Sequence, residues 1–589
     1  MTAIFRNLPL PVAVVAISLC QALTGGTRPV FGLPSFILCA IAALLAWRER
    51  GLRVQHPGCL VATGVLMAYM LARAALSPLA YLARADFFLM LGGLLVYLLT
   101  ATVFVTARQR MVMVYALLVL GGIHTLVGVV QAAQGENFML SGFLPPATES
   151  RASGMLINPN HLAGFLEIAG PMGLSVAWWS GRRPAVKIFA GYAAMCCYVG
   201  LLLSQSRGGV LCAVFSLLVW VGLTLRASYL GKPHRFDRAL LLAVGAVAVL
   251  FSIGGIFVAT HTEMRERLAT TFGRDIRIAN WQAALDQFRL APVFGTGAGT
   301  HLYLGRLFRR AELQSDPMHA HNDYLELLAE YGLVGAAGMA VLLALHAARG
   351  LRALRATAHA LRTTEEAGND ELALTIGALT AFAALAAHSA LDFNMHIPGN
   401  ALVMAFVFGL LARPEVAPEN EVPAAAPRLG MAARAPLLAL GGALLVLAML
   451  AWPGAFFTER ARAFLDDDEY PDAIASATRA LRLDPWNPFS CFHLGEAHRL
   501  LAELEPTFAE RQAGREAAVQ AFDRGLQFFP QDENLLVRRG QVLDRLKRFA
   551  AAEASFKAAL AADPNLKILD QLYQEHRALI ESASSDPAH

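Results

Sequence analysis

The residues best suited to chemistry are concentrated between Met318 and Gly335, M-H-A-H-N-D-Y-L-E-L-L-A-E-Y-G-L-V-G, where a polar loop runs into an apolar helix. His319 and His321 stand two residues apart beside Asp316 and Asp323, with Asn322 at the start of the helical pattern. An imidazole near neutral pH can act as a general base, and one at the head of a bilayer-held helix would be rigidly placed. Histidines beside carboxylates can also ligate zinc or manganese, although this spacing matches no zincin-type motif. A third reading is a structural pair that caps the following helix. General base is the leading expectation, and no metal or cofactor is expected.

Cations and further polar groups recur in three other stretches. Ser204 to Gly209, S-Q-S-R-G-G, is so short a connection that Arg207 must sit at the membrane surface. There it either snorkels to the interface or pairs with an anionic lipid headgroup, and Gly208 and Gly209 permit close approach. Asp275 to Pro292 repeats apolar residues at Ile278, Trp281, Leu285 and Phe288, which predicts an amphipathic helix lying on the membrane or capping a bundle, with Arg277 on the face of Trp281. Arg151 or His161 is expected at the rim of a substrate cavity, with Asn160 as a helix N-cap. His388 and the D-F-N-M-H run from Asp392 to His396 form another polar patch on the same side. The G-T-G-A-G run from Gly295 to Gly299 reads as a tight turn, because no βαβ unit surrounds it.

Membrane helices must position these groups. In 589 residues, 56% are hydrophobic and 16% charged, and the mean hydropathy is +0.47, which excludes an ordinary soluble globular chain. Apolar runs long enough to span hydrocarbon fall near 8–25, 31–47, 59–77, 86–106, 111–133, 161–180, 187–204, 208–226, 239–260, 330–348, 372–391, 398–412 and 436–457. The run 398–412 is short for a full crossing. Basic residues gather in alternate loops, 48–53, 108–110, 182–187, 226–238, 349–362 and 413–434, which predicts that these are cytoplasmic and that the motif loops, including 261–329, face the other side. Six of seven cysteines sit in or beside apolar runs, so no disulfide framework or CxxC pair is expected. Nothing in the pattern suggests a nucleic-acid partner.

After Pro453 the composition turns soluble and helical. Asp484-Pro485, Pro530 and Asp563-Pro564 close similar units, the last two prolines 34 residues apart. This is a tetratricopeptide signature of about three helical hairpins, with an insertion around Glu503 to Gly514. The expected organisation is a polytopic membrane domain over 1–435, a further span at 436–457, and an α-solenoid over 458–580 that recruits a protein partner or acceptor.

The ordered set R-A-S-G…N-P-N-H, S-Q-S-R-G-G, R-I-A-N-W…P-V-F-G-T-G, H-N-D-Y-L-E-L-L-A-E-Y-G-L-V-G and H-S-A-L-D-F, over roughly 60–412, resembles the core of the O-antigen ligase family. That family includes O-antigen polymerases and protein-targeting O-oligosaccharyltransferases. The resemblance implies an all-α, C-type glycosyltransferase-like bundle of about 12–13 spans in the bacterial inner membrane. It implies transfer of a glycan from an undecaprenyl-diphosphate carrier at the periplasmic face, without a catalytic metal. It assigns donor-diphosphate binding to Arg207 and Arg277 and the essential histidine to His321; beside these, His319, Asn322, Arg151 and Asp392 are read as supporting residues. The acceptor, whether lipid A-core, nascent polysaccharide or protein, is left open by the tetratricopeptide extension. A different class, a non-catalytic scaffold or a transporter, would not gather arginines and histidines on one membrane face or would show paired broken helices.

Overall fold

The computed structural model describes residues 8–47, 57–134, 151–231, scattered helical positions between 240 and 252, 276–362, 369–412 and 431–585. The described residues form helices and turns, with no strand among them. The membrane part comprises α1 (Pro9–Ala22), α2 (Pro29–Ala46), α3 (Pro57–Ala75), α4 (Ala80–Leu98), α5 (Ala107–Gln134), α6 (Pro159–Trp179), α7 (Pro184–Leu203) and α8 (Arg207–Gly231). It continues with α9 (Ile276–Leu290), the short α10 (His301–Leu307), α11 (Asp323–Ala360), α12 (Asp370–His388), α13 (Pro398–Ala412) and α14 (Met431–Asp466). Among the described residues nine helices are long and apolar enough to cross a membrane, while α1 and α13 are shorter apolar helices. The expected span 239–260 and the basic loops 48–53, 232–238 and 413–430 lie wholly or almost wholly outside the described residues.

α12 packs along α6 and α8, α6 along α7, and α14 along α2. Lipid tails offer no hydrophobic drive for such pairing, so close approach at small residues has to supply it. At Gly173 in α6, an added Cβ would meet Leu118 at 2.8 Å and Ala194 at 2.9 Å. Buried amides add directed bonds: Asn400 donates to the Asn394 side chain and the His161 carbonyl, each at 3.0 Å, and accepts from Gln21 at 3.2 Å. These bonds fasten the 392–397 loop to α1 and α6. The N-cap of α6 is Asn158, whose side chain accepts from Asn160 N–H at 2.8 Å, rather than the expected Asn160. With Pro159 at the first helical position, the helix starts two residues earlier than that reading requires.

One expectation about the motif elements changes. The histidine loop does not pass straight into the membrane run, because α11 is broken at Gly332, which has φ +66° and ψ −168°. A short helix over 323–331 therefore intervenes. The break is enforced by the glycine turn, since a Cβ at Gly332 would meet the Val293 carbonyl at 2.4 Å and one at Gly295, also at positive φ, the Glu330 backbone at 2.2 Å. Thr296 and Gly297 N–H donate to the Ala329 and Glu330 carbonyls at 3.0 and 2.9 Å, satisfying groups that the kink frees. In α9 the buried stripe is Asn280, Ala283, Ala284 and Gln287, while Ile278 and Leu285 are exposed. Gln287 bonds Thr296, Thr300 and His301, so the helix is held by polar contacts to the glycine turn, and its exposed apolar residues remain available to a membrane surface.

α14 runs unbroken from the membrane stretch into the C-terminal region, so the expected boundary at 458 falls inside a helix. After it come α15 (Tyr470–Leu483), α16 (Pro488–Leu504), α17 (Phe508–Phe528), α18 (Glu533–Arg545), α19 (Phe549–Ala562) and α20 (Lys567–Ser585). α16 packs on α17 and α18 on α19, and Pro485, Pro530 and Pro564 fall in the turns between helices. Phe522 and Phe556 fill this core against Gly495 and Gly540, where an added Cβ would meet the rings at 2.4 and 2.9 Å. A Thr507–Glu510 capping box starts α17 within the expected insertion.

Candidate active site

Asn322 joins the two loops that carry the histidines and the acids. Its Oδ1 accepts from Tyr324 and Leu325 N–H at 3.1 and 3.0 Å, capping α11, and its amide donates to the Ala390 carbonyl at 2.9 Å. Asp323 N–H adds a bond to the Ser389 carbonyl at 2.8 Å. Segments 66 and 68 residues apart in sequence are thereby clasped together.

On one side of the clasp, His321 Nδ1 lies 3.0 Å from Asp392 Oδ1, which also accepts from Phe393 N–H at 3.0 Å. Asp392 is fully buried, and its Oδ2 faces Arg277 Nη2 at 3.8 Å, an ion pair without a hydrogen bond. Burial alone would raise the Asp392 carboxyl, but the His321 hydrogen bond and the neighbouring imidazoles pull it below the usual carboxylate range. His321 itself has φ +52°, a left-handed conformation costing a non-glycine residue about 1 kcal/mol, and Trp281 Nε1 holds its carbonyl at 3.2 Å. The side chain is 26% exposed, and with Nδ1 turned to a carboxylate, Nε2 is the atom left to take a proton, with no partner among the described residues.

On the other side, His319 Nδ1 bonds Glu326 Oε1 at 2.7 Å, and Glu326 Oε2 accepts from Ala320 N–H at 2.8 Å. His396 Nδ1 lies 3.0 Å from Asp323 Oδ1 and its Nε2 3.4 Å from Glu326 Oε1. Burial works against a charge on His396, but Glu326, Asp323 and Asp86 overcome it and hold the imidazole well above its ordinary range. Asp323 therefore serves His396 rather than His319 or His321. Asp316 does not join the histidines either, since Arg306 takes it with two bonds at 2.7 and 2.6 Å. His319, Glu326 and His396 present donor atoms within 4.8 Å of one another, the spacing a cation would use. Asp323 and His396 also line a cavity of about 210 Å³, with Asp86 and Glu330 as further acidic groups and a mostly apolar lining that includes Met67, Leu342 and Phe408.

The remaining expected residues stand further back. Arg151 is buried and donates to the Gln205 carbonyl at 3.3 Å, so it braces the S-Q-S-R-G-G turn from behind. Arg207 opens α8, and a Cβ on the adjacent Gly208 would lie 3.4 Å from His388 Nε2. His388 is wholly buried and bonds Glu167 at 2.8 Å, and His161 is buried with its ring edge-on to Phe393. Reading the sequence missed Glu167, Asp86, Glu326 and Phe393. The first two were detectable as lone carboxylates inside apolar runs. Glu326 and Phe393 carry no such signal, because their importance arises only when the loops meet.

The family model described as O-antigen ligase (Wzy_C) matches residues 190–340. The matched stretch includes Arg207, Arg277, His319, His321 and the two glycines Gly332 and Gly335, and stops short of Asp392 and the C-terminal helices. No curated protein matches the chain. What the match and the helices establish is an O-antigen ligase domain within a multi-span membrane protein.

Proposed function

We propose that this protein is a glycosyltransferase of the O-antigen ligase or polymerase type, moving a glycan from an undecaprenyl-diphosphate carrier to an acceptor hydroxyl. The observation that carries this reading is the His321–Asp392–Arg277 constellation, two of whose members lie in the matched family stretch. Displacing a lipid diphosphate at an anomeric carbon needs a base for the acceptor's hydroxyl proton and cations for the departing charge. Asp392 orients the imidazole and stabilises the imidazolium formed when Nε2 takes that proton. Arg277 and Arg207 pair with the diphosphate, whose own bond energy drives transfer without ATP. The apolar cavity beside His396 offers a lining suited to a prenyl chain, and the bilayer keeps carrier and acceptor in one plane.

This reading needs no metal. The His319–Glu326–His396–Asp323 cluster neutralises itself, with a raised histidine between two carboxylates, and two arginines serve the leaving group. The site and the C-terminal helices are assigned to the periplasmic side of the inner membrane, the latter as a tetratricopeptide-type solenoid that recruits a partner or acceptor for lipopolysaccharide or surface polysaccharide assembly. Alkaline phosphatase fused after Ser585 is expected to be active; cytoplasmic reporter activity there would reverse the orientation. The activity is tested with purified protein in nanodiscs and an undecaprenyl-diphosphate-linked glycan, offering lipid A-core, polysaccharide and protein acceptors in turn. Transfer to one acceptor names the branch of the family, and failure with all of them, given correctly folded protein, overturns the reading.

A further inference from the structure

Residues 308–322, between α10 and α11, form no regular element, so groups other than a backbone ladder must hold the stretch that delivers His319 and His321. Two arginines do so. Arg309 Nη1 donates to the Leu313 and Ser315 carbonyls, and Arg306 grips Asp316 through two bonds at 2.7 and 2.6 Å. Met318 N–H bonds the Asp316 carbonyl at 2.9 Å, which carries the constraint to the residue before His319. Both guanidinium groups are buried, with side chains 4% and 1% exposed, and a buried cation needs a counter-charge.

Asp316 supplies one carboxylate for two cations. The rest comes from the C-terminal helices. Asp563, fully buried, takes Arg309 at 2.6–2.9 Å through both oxygens, and Glu533 stands 2.6 Å from Arg306 Nη1. Around them Asn565 donates to the Arg309 carbonyl at 2.7 Å, Gln314 exchanges bonds with Asn565 and Lys567 at 3.1 and 3.0 Å, and Tyr303 donates to Asp532 at 2.7 Å.

We infer that the C-terminal helical domain is a positioning part of the transfer site: the turn acid Asp563 and the helix-start acid Glu533 hold Arg309 and Arg306, which in turn hold the loop bearing His319 and His321. Asp563, Glu533, Arg306 and Arg309 are positioning residues, acting through the loop. The inference rests on the transfer reading for its kinetic consequence and on the bonds alone for its structural one. A displacement near 1 Å at a reacting group costs about 10²-fold in rate, so releasing this clamp lowers turnover without touching the arginines assigned to the donor. Recruitment and catalysis are then coupled, because whatever binds the domain also bears on the loop.

The test uses the full chain in nanodiscs and compares Asp563→Asn, Arg309→Gln and Asp563→Glu with wild type. Asp544→Asn is the control, since Asp544 pairs with His576 at 2.7 Å inside the domain. Asp563→Asn and Arg309→Gln are expected to speed amide exchange across 310–322 and to lower single-turnover transfer by tenfold to about 10²-fold with donor affinity unchanged. Asp563→Glu should restore both in part, and Asp544→Asn should leave the loop as it was. Wild-type exchange over 310–322 in both disruptive variants would overturn the inference. If Asp563→Asn loosens the whole of 533–585, Arg309→Gln, in the membrane part, decides. A wild-type protein that transfers no lipid-linked glycan sinks the transfer reading instead, and exchange still judges the clamp.

Discussion

His319 and His321 are two residues apart, yet their rings end in opposite kinds of surroundings on either side of Phe393. The His319 ring stacks on Phe393 at 4.3 Å and 22°, whereas His321 meets the same ring edge-on at 4.9 Å and 78°. His319 shares Glu326 with His396, and that network closes on itself through Asp323. His321 has one carboxylate behind it and a cation across that carboxylate. Both rings turn Nδ1 to a carboxylate and keep Nε2 without a partner among the described residues, so what distinguishes them is that carboxylate: Glu326 is shared with a second imidazole, while Asp392 faces a guanidinium. The partners that each ring reaches in the folded loop, and not the residue type, separate the two histidines.

The sharpest way to break this contrast is His321→Ala, expected to lower single-turnover transfer by about 10²–10⁴ while donor affinity stays near wild type. Near-normal turnover would remove the base assignment, and a loss confined to donor affinity would move His321 to diphosphate binding. Arg277→Ala and Arg207→Ala should behave otherwise, losing about 2–5 kcal/mol that appears in donor affinity as well as in transfer. Equal donor affinity in wild type and both variants would leave the leaving group without its proposed cations.

On the closed side of Phe393, Glu326→Gln is expected to cost about 1–3 kcal/mol of stability, read as a lower thermal midpoint, with a smaller effect on rate than His321→Ala. A rate loss matching His321→Ala would erase the distinction between the networks. The same network sets a pH dependence. His396 has a raised folded-state pKa, so its contribution is fully present below the unfolded imidazole value of about 6.5 and is lost as pH rises through the higher folded value. Thermal stability should therefore decline on the alkaline side, and His396→Gln should flatten that decline. An identical slope in the variant would show that another group titrates.

The smallest expected effect is that of chelation. EDTA should leave transfer unchanged if, as proposed, Arg277 and Arg207 carry the charge neutralisation. Loss of transfer in EDTA with recovery on one added divalent ion would make His319, Glu326 and His396 a metal centre and would shift the functional weight to that side of Phe393.

Much of this was legible in the chain because the bilayer imposes a one-dimensional rule. Apolar length predicts a helix, and the helices of the described residues fall where the apolar runs lie. The turn prolines 485, 530 and 564 were legible for a similar reason, since each ends a local helical unit. What could not be read was which polar groups would meet. Asp316 and Asp323 flank the histidines in sequence but bond Arg306 and His396, while Asp392, seventy-one residues from His321, supplies its carboxylate. The protein-facing side of α9 was unreadable for a related reason, because a periodicity count ranks Ile278 and Leu285 above Gln287, and only the glycine turn makes the amide the anchoring residue.

The sequence by itself determined the class of the protein, the order of its membrane helices, the helical C-terminal region and the residue types available for chemistry, because each of these depends on local composition and period. Only the tertiary structure decided the rest. It paired His321 with Asp392, closed the other network around Glu326, broke α11 at Gly332 against the 293–297 turn, and set Asp563 on Arg309. Those outcomes depend on buried charges and backbone groups finding partners across hundreds of residues, a constraint that acts in three dimensions and leaves little trace in spacing along the chain.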